Sequence, residues 1–122
     1  MSKSDRSKAG IEVIARGVCI KDGKVLICHT RGASNTYLPG GHVEFGEKAR
    51  ESLRREMKEE MGAVFTIGRF LGAIEHSFRQ KGRIHHEINL VFEMSCKTIS
   101  SKAVPESREE HIEFLWMALA DL

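Results

Sequence analysis

The chain is short of cysteine, and what cysteine it has does not pair. Cys19, Cys28 and Cys96 are the only three, an odd number without CxxC spacing; reduced buried thiols are expected rather than a disulfide framework or a zinc site. No apolar run approaches the length of a membrane span, and the opening MSKSDRSKAG lacks the apolar core of a signal peptide. A cytoplasmic protein without a membrane partner is the expectation. Nor is there a large charge of either sign: 19 basic against 17 acidic residues leave +2, too little to argue for a stable nucleic-acid partner. No internal repeat or low-complexity tract is visible. What remains is 122 residues, 41% hydrophobic and 30% charged, which suits one domain around one core. A polar, flexible tail over 1–10 and a single domain over 11–122 are the expected divisions.

The most informative stretch is GHVEFGEKARESLRREMKEEMGA, from Gly41 to Ala63. From Lys48 to Met61 it has no proline or internal glycine and is rich in helix formers, and Gly62 stands where a C-terminal glycine cap belongs. At about 100° per residue, Ala49, Leu53, Met57 and Met61 share one stripe, with Glu56, Glu59 and Glu60 at its border. Repulsion and desolvation disfavour three carboxylates at the edge of a buried face unless a cation compensates them. Arg55 can orient Glu59 but cannot neutralise all three. A hard divalent cation can, because Mg²⁺ takes oxygen ligands and is usually shared between a few carboxylates and substrate phosphates.

The spacing of Gly41, Glu47 and the run Arg55-Glu56-Met57-Lys58-Glu59-Glu60-Met61-Gly62-Ala63 resembles the Nudix box, G-x5-E-x7-R-E-U-x-E-E-x-G-U, where U is a bulky aliphatic. Every fixed letter matches, and Ala63 is smaller than the usual closing residue. With seven fixed letters at about 7% usage each, a chance match is on the order of 10⁻⁸ per window. A solvated acidic helix face does not predict the glycines, Glu47 or Arg55. The resemblance implies an α/β fold, the Nudix α/β/α sandwich with a central mixed sheet between helices. It also implies hydrolysis of nucleoside diphosphates linked to a group X, with Mg²⁺ or Mn²⁺ as cofactor and a small nucleotide as partner.

Along the chain, Ile11–Ile20 reads as a strand, Lys21–Lys24 as a turn and Val25–Thr30 as the returning strand, because Asp-Gly between apolar runs signals a hairpin. The loop Arg31–Thr36 takes the place of one wall of the substrate cleft by resemblance, with Arg31 and Asn35 as candidate contacts to phosphate or base. Leu38-Pro39-Gly40-Gly41 leads into the box, and a glycine carbonyl there, by resemblance that of Gly40, joins the metal shell. His42–Phe45 alternates like a short strand. Glu44 is a further candidate substrate contact. Glu47 is a ligand, a carboxylate behind the ligands, or an acid favoured at a helix start.

Later, Ala63–Phe78 reads as a strand interrupted by Gly68 and Gly72, and Ile84–Lys97 as another with Ile88, Leu90, Phe92 and Met94 on one face. A basic turn, Arg79–Arg83, joins them. His85 and His86 are adjacent, so in a strand they face opposite ways and cannot jointly chelate. His111–Met117 is the last expected strand, and Ala118–Leu122 the start of the closing helix that the resemblance implies, cut short here. Apolar surface left by a missing cover is something a second copy of the chain would hide.

For the chemistry, Glu56, Glu59 and Glu60 are the expected ligands, with Arg55 beside them. Dications would screen the diphosphate and lower the pKa of a bound water. Relatives take their general base from a helix glutamate or a later loop, so Glu56 is the first candidate, then Glu110 and Glu113, with Glu109 behind them. The proline that ADP-ribose hydrolases often carry after the box is missing, as is the tyrosine of diadenosine polyphosphate hydrolases: Pro105 and Tyr37 lie elsewhere. Nucleoside triphosphates or small nucleotide derivatives are therefore expected, without excluding ADP-ribose. The alternative is a nucleotide sensor or scaffold of the same fold without turnover, which three intact glutamates disfavour.

Overall fold

The computed structural model describes residues 10–122; the expected tail lies almost wholly outside them. Strand β1 (Ile11–Val18) is built from β-branched residues and ends at Cys19, whose buried side chain marks where the chain passes from one sheet to the other. The single strand expected over Ile11–Ile20 is thus two, β1 and the short β2 (Ile20–Lys21). Asp22 and Gly23, both at positive φ (52° and 73°), turn β2 into β3 (Lys24–Thr30), the two-residue hairpin that Asp-Gly favours.

Two sheets result. The first has the order β4-β1-β6-β5, with β4 at Gly40–His42, β5 at Thr66–Gln80 and β6 at Arg83–Ser95. Here β1 runs parallel to β6 while the other pairs are antiparallel, so the sheet is mixed. The second has the order β2-β3-β7, with β7 at Ile112–Ala118.

Helix α1 (Ala49–Met61) starts after Lys48 and ends at Gly62, whose φ of 74° and N–H bond to the Lys58 carbonyl make it the expected left-handed cap. Leu53 and Met57 are fully buried against a core that includes Ala15, Leu26, Phe65, Phe92 and Phe114; truncating either to alanine would cost about 2–5 kcal/mol. All three cysteines are buried and unpaired.

Three further elements differ from the sequence reading. The alternation in His42–Phe45 does not make a strand: the Val43 N–H still donates to Val13 O (2.9 Å), but that of Glu44 turns to the Glu47 carboxylate (3.2 Å) and Phe45 is fully exposed. The expected basic loop at 79–83 shrinks to Lys81-Gly82, again both at positive φ, because Gln80 and Arg83 pair. The C-terminal residues form a 3-10 turn, Leu119–Asp121, so among the described residues α1 is the sole α-helix. Gly68 and Gly72 do interrupt β5, where its register with β6 shifts twice between Ile67 and Gly72. None of the described helices is long and apolar enough to cross a membrane.

Candidate active site

The polar stripe of α1 is as well buried as its apolar one. Ser52, Glu56 and Glu60 recur every four residues and so share a face, with Ser52 and Glu60 buried outright and the Glu56 side chain 17% exposed. The Ser52 hydroxyl donates to the His42 carbonyl (3.1 Å), which fixes the helix against β4. Glycine makes the close approach possible. Gly41 lies where a Cβ would run into the Glu56 carboxylate, and Gly40, at φ 145°, lies where one would strike the Ala15 carbonyl. The two glycines therefore let β4 run between β1 and the helix with no side chain in the way.

The Glu56 and Glu60 side chains face a cavity of about 240 Å³ lined also by Ile14, Arg16, Tyr37, Gly40, Gly41, His42, Glu87 and Ile112. Glu60 Oε2 is buried without any hydrogen-bond partner. Burial, then the Glu56 charge, pushes the Glu60 carboxyl up to about 8, with Arg16 opposing. Burial also raises the Glu56 carboxyl, against the pull of Arg55.

One turn earlier the electrostatics reverse. Arg55 donates to both oxygens of Glu47 (2.7 and 3.0 Å), to Glu56 Oε1 (3.0 Å), to Glu59 (3.3 Å) and to the His42 carbonyl (3.2 Å). The Arg55 guanidinium holds Glu47 at about 2, well below the usual carboxylate range. Glu47 therefore acts on Arg55 and on the Glu44–Glu47 turn. Glu59 points to Arg55 and is half exposed. Among the described residues no group of three His, Cys, Asp or Glu side chains stands ready to hold a metal ion; of the expected trio, Glu56 and Glu60 line the cavity and Glu59 is outside its lining.

Two carboxylates facing one cavity, one of their oxygens buried and unpartnered, fit a hard dication, which takes oxygen ligands. The residues present therefore fit the cation that the sequence implied.

The other expected contacts lie elsewhere. Arg31 pairs with Glu113 (3.4 Å) beside a separate cavity that includes Pro105 and Ser107, and Asn35 is exposed in its loop. Glu44 is exposed, 3.8 Å from Arg55. Glu113 alternates with Ile112 and Phe114 along β7, so it faces away from the cavity that Ile112 lines. Glu110 is exposed. Of the three later acids, Glu109 is the one whose charge raises Glu60.

The sequence reading missed Arg16, Tyr37 and Glu87. Arg16 is held by Asn89 Oδ1 and the Leu38 carbonyl (both 3.1 Å) and lies over the Tyr37 ring. Its signal was available, as the lone cation in the middle of the strand IEVIARGV.

The family model described as the NUDIX domain matches residues 12–122. This chain belongs to the Nudix family. Its curated relatives include a CTP pyrophosphohydrolase of Escherichia coli, 35% identical over 62% of this chain and 57% of the relative. Another is an ADP-ribose pyrophosphatase of Methanocaldococcus jannaschii, 31% identical over 80% of this chain and 58% of the relative. The matched region thus spans less than three fifths of either relative. A crystal structure of a MutT NUDIX hydrolase from Burkholderia pseudomallei superposes with a TM-score of 0.73 at 25% identity, covering 93% of this chain and 87% of the other. The Nudix likeness therefore extends over both sheets and α1, well beyond the box. Members of the family generally depend on a divalent metal.

Proposed function

We propose that this Nudix chain hydrolyses the diphosphate linkage of nucleoside diphosphate-X compounds, with Mg²⁺ or Mn²⁺ held by Glu56, Glu60 and the Gly40 carbonyl. The observation that carries the reading is the buried, unpartnered Oε2 of Glu60, which shares its cavity with Glu56. A dication there supplies charge to screen the diphosphate and to acidify water. Glu59 is the third acid available to it. Arg55 keeps Glu56 in place by holding its Oε1, and Glu47 in turn holds Arg55. Arg16 brings a positive charge to the cavity wall for a phosphate oxygen, fixed by Asn89 and Leu38 so that little ordering is left to do on binding.

For the proton of the attacking water, Glu56 is the base. It lines the cavity, whereas Glu113 is turned away and Glu110 is exposed. The relatives named for CTP and for ADP-ribose share a nucleotide joined through a diphosphate, which supports that substrate class without choosing a base.

The test is a nucleotide panel with Mg²⁺ or Mn²⁺, run in heavy-oxygen water and scored for phosphate, pyrophosphate and mononucleotide. Cleavage with label in one product supports the hydrolase and identifies the phosphorus attacked. Binding without cleavage across the panel makes the chain a sensor instead. Calorimetry that finds no Mg²⁺ or Mn²⁺ uptake, with or without nucleotide, removes the metal site.

A further inference from the structure

Beyond the catalytic carboxylates, one face of the four-stranded sheet carries an arc of side chains that the reaction does not use. His42 Nε2 bonds Glu12 Oε1 (2.9 Å), and Glu12 Oε2 bonds His85 Nδ1 (3.1 Å). His85 stacks on Phe78 with centroids 4.9 Å apart and planes 7° apart, and Phe78 stacks on His76 at 5.2 Å and 27°. The five side chains come from four strands. Alternation places them on one face: His42 pairs with Ile14 in β1, Glu12 with Glu87 in β6, and Glu87 with His76 in β5.

The arc begins at the catalytic cavity and returns to within one cross-strand neighbour of it. His42 and Glu87 both line it, and His76 sits directly across the strand pair from Glu87, where side chains on one face are within reach of each other. His76 is the exposed end of the row of three rings. Ile74, two residues back on the same face, is 59% exposed and extends the apolar ground beside it. The far end is pinned: both oxygens of Glu12 are engaged, and its two histidines, His42 first, hold its carboxyl below the usual range. A row of rings braced at one end and open at the end that faces Glu87 across the strand pair is a stacking surface that needs little ordering to accept another ring.

We propose that His76, backed by Phe78 and His85, is the platform on which the planar ring of the substrate stacks while its diphosphate lies at Glu56 and Glu60. The proposal rests on the hydrolase reading and names the side chains that hold the nucleobase of those compounds. Every base has a π-face, so stacking favours the presence of a ring over its identity.

The experiment compares ATP with the triphosphate of abasic 1-deoxyribose in Mg²⁺, and AMP with its abasic counterpart by calorimetry, which needs no turnover. His76→Ala and Phe78→Ala should each lower the ring-bearing over ring-free ratio of kcat/KM about tenfold, mainly through KM, and loosen AMP by a similar factor. His76→Phe and Phe78→Trp should restore the ratio, which a role in folding or proton transfer would not predict. His76 is exposed, so its removal does not threaten the fold. If nothing in the nucleotide panel is cleaved but AMP still binds better than its abasic counterpart, and does so through His76, the hydrolase reading fails and the platform stands. No preference for the ring in either measurement, or a preference that survives His76→Ala, overturns the platform.

Discussion

Two groups of carboxylates meet at α1, and their surroundings are opposite. Around Arg55, the acids Glu47 and Glu59 and one oxygen of Glu56 all have a donor, at 2.7–3.3 Å. At Glu60, a buried oxygen has none. A buried polar group left without a partner costs about 1–3 kcal/mol, and more when charged. The first group sets positions: each acid is where Arg55 draws it, and its charge is already answered. The second group keeps its charge unanswered within the folded chain, which is how a protein retains affinity for a cation that is not part of itself.

The largest expected effect comes from removing the unanswered charge. Glu60→Gln should lower kcat/KM by about two to three orders of magnitude, while the thermal midpoint in chelator stays level or rises, because a buried unpaired acid is relieved. A fall in both would make Glu60 structural and erase the contrast. Removing the answering charge should do the reverse. Arg55→Ala leaves Glu47, Glu56 and Glu59 close together with no cation and should cost about 2 kcal/mol of stability, together with a smaller loss of turnover. Arg55→Lys should rescue little of either, since an ammonium cannot hold both oxygens of Glu47 as the guanidinium does. Thermal melts and steady-state rates on the same samples check both variants.

Much of this was legible in the chain. The helix, its glycine cap and the acids at the edge of its buried face follow from spacing, and the Asp22-Gly23 hairpin from local turn chemistry. Less legible was which acid is which. Helical periodicity places Glu56, Glu59 and Glu60 within one arc, but Arg55 draws Glu59 aside and the glycines of β4 admit Glu56. Those are tertiary effects. Glu87 and the rings of His76, Phe78 and His85 were hidden for a similar reason, since what they form exists only once β1, β5 and β6 are in register. His85 and His86 do face opposite ways as alternation requires, and His85 turned out to bond Glu12. The strand over His42–Phe45 was misread because alternation says nothing about whether a neighbour is there to pair with.

The same contrast predicts opposite pH dependence in the two halves of the site, measured without metal. Glu60 goes from an ordinary 4.5 in the unfolded chain to about 8 in the folded one. Between those values the folded state binds the extra proton, so its contribution is full below 4.5 and is lost as pH rises through 8. Glu47 moves from 4.5 down to about 2, so its contribution is full above 4.5 and is lost as pH falls through 2. Denaturant melts in chelator should show stability declining from pH 5 to 8, with Glu60→Gln flattening that decline. Saturating Mg²⁺ should flatten it too, because the ion binds the ionised carboxylate. A decline that persists in Glu60→Gln would assign it to another group.

The smallest effects should fall on the acids outside the contrast, and there a near-zero result carries information. Glu113 is bonded to His29 and Arg31 on the face of β7 turned from the cavity, and Glu110 is exposed. Glu113→Gln and Glu110→Gln should each change kcat/KM by less than about twofold, in keeping with surface changes worth no more than about 0.5 kcal/mol. Glu109 differs because its charge is among those that raise Glu60. Glu109→Gln should therefore shift the alkaline end of the apo stability profile slightly downward in pH, with little change in rate. A hundredfold loss in Glu110→Gln would mean that the segment ahead of β7 swings into the cavity during turnover, and the same loss in Glu113→Gln that the start of β7 moves with it. The proton would then leave through that loop, and Glu56 would only position it.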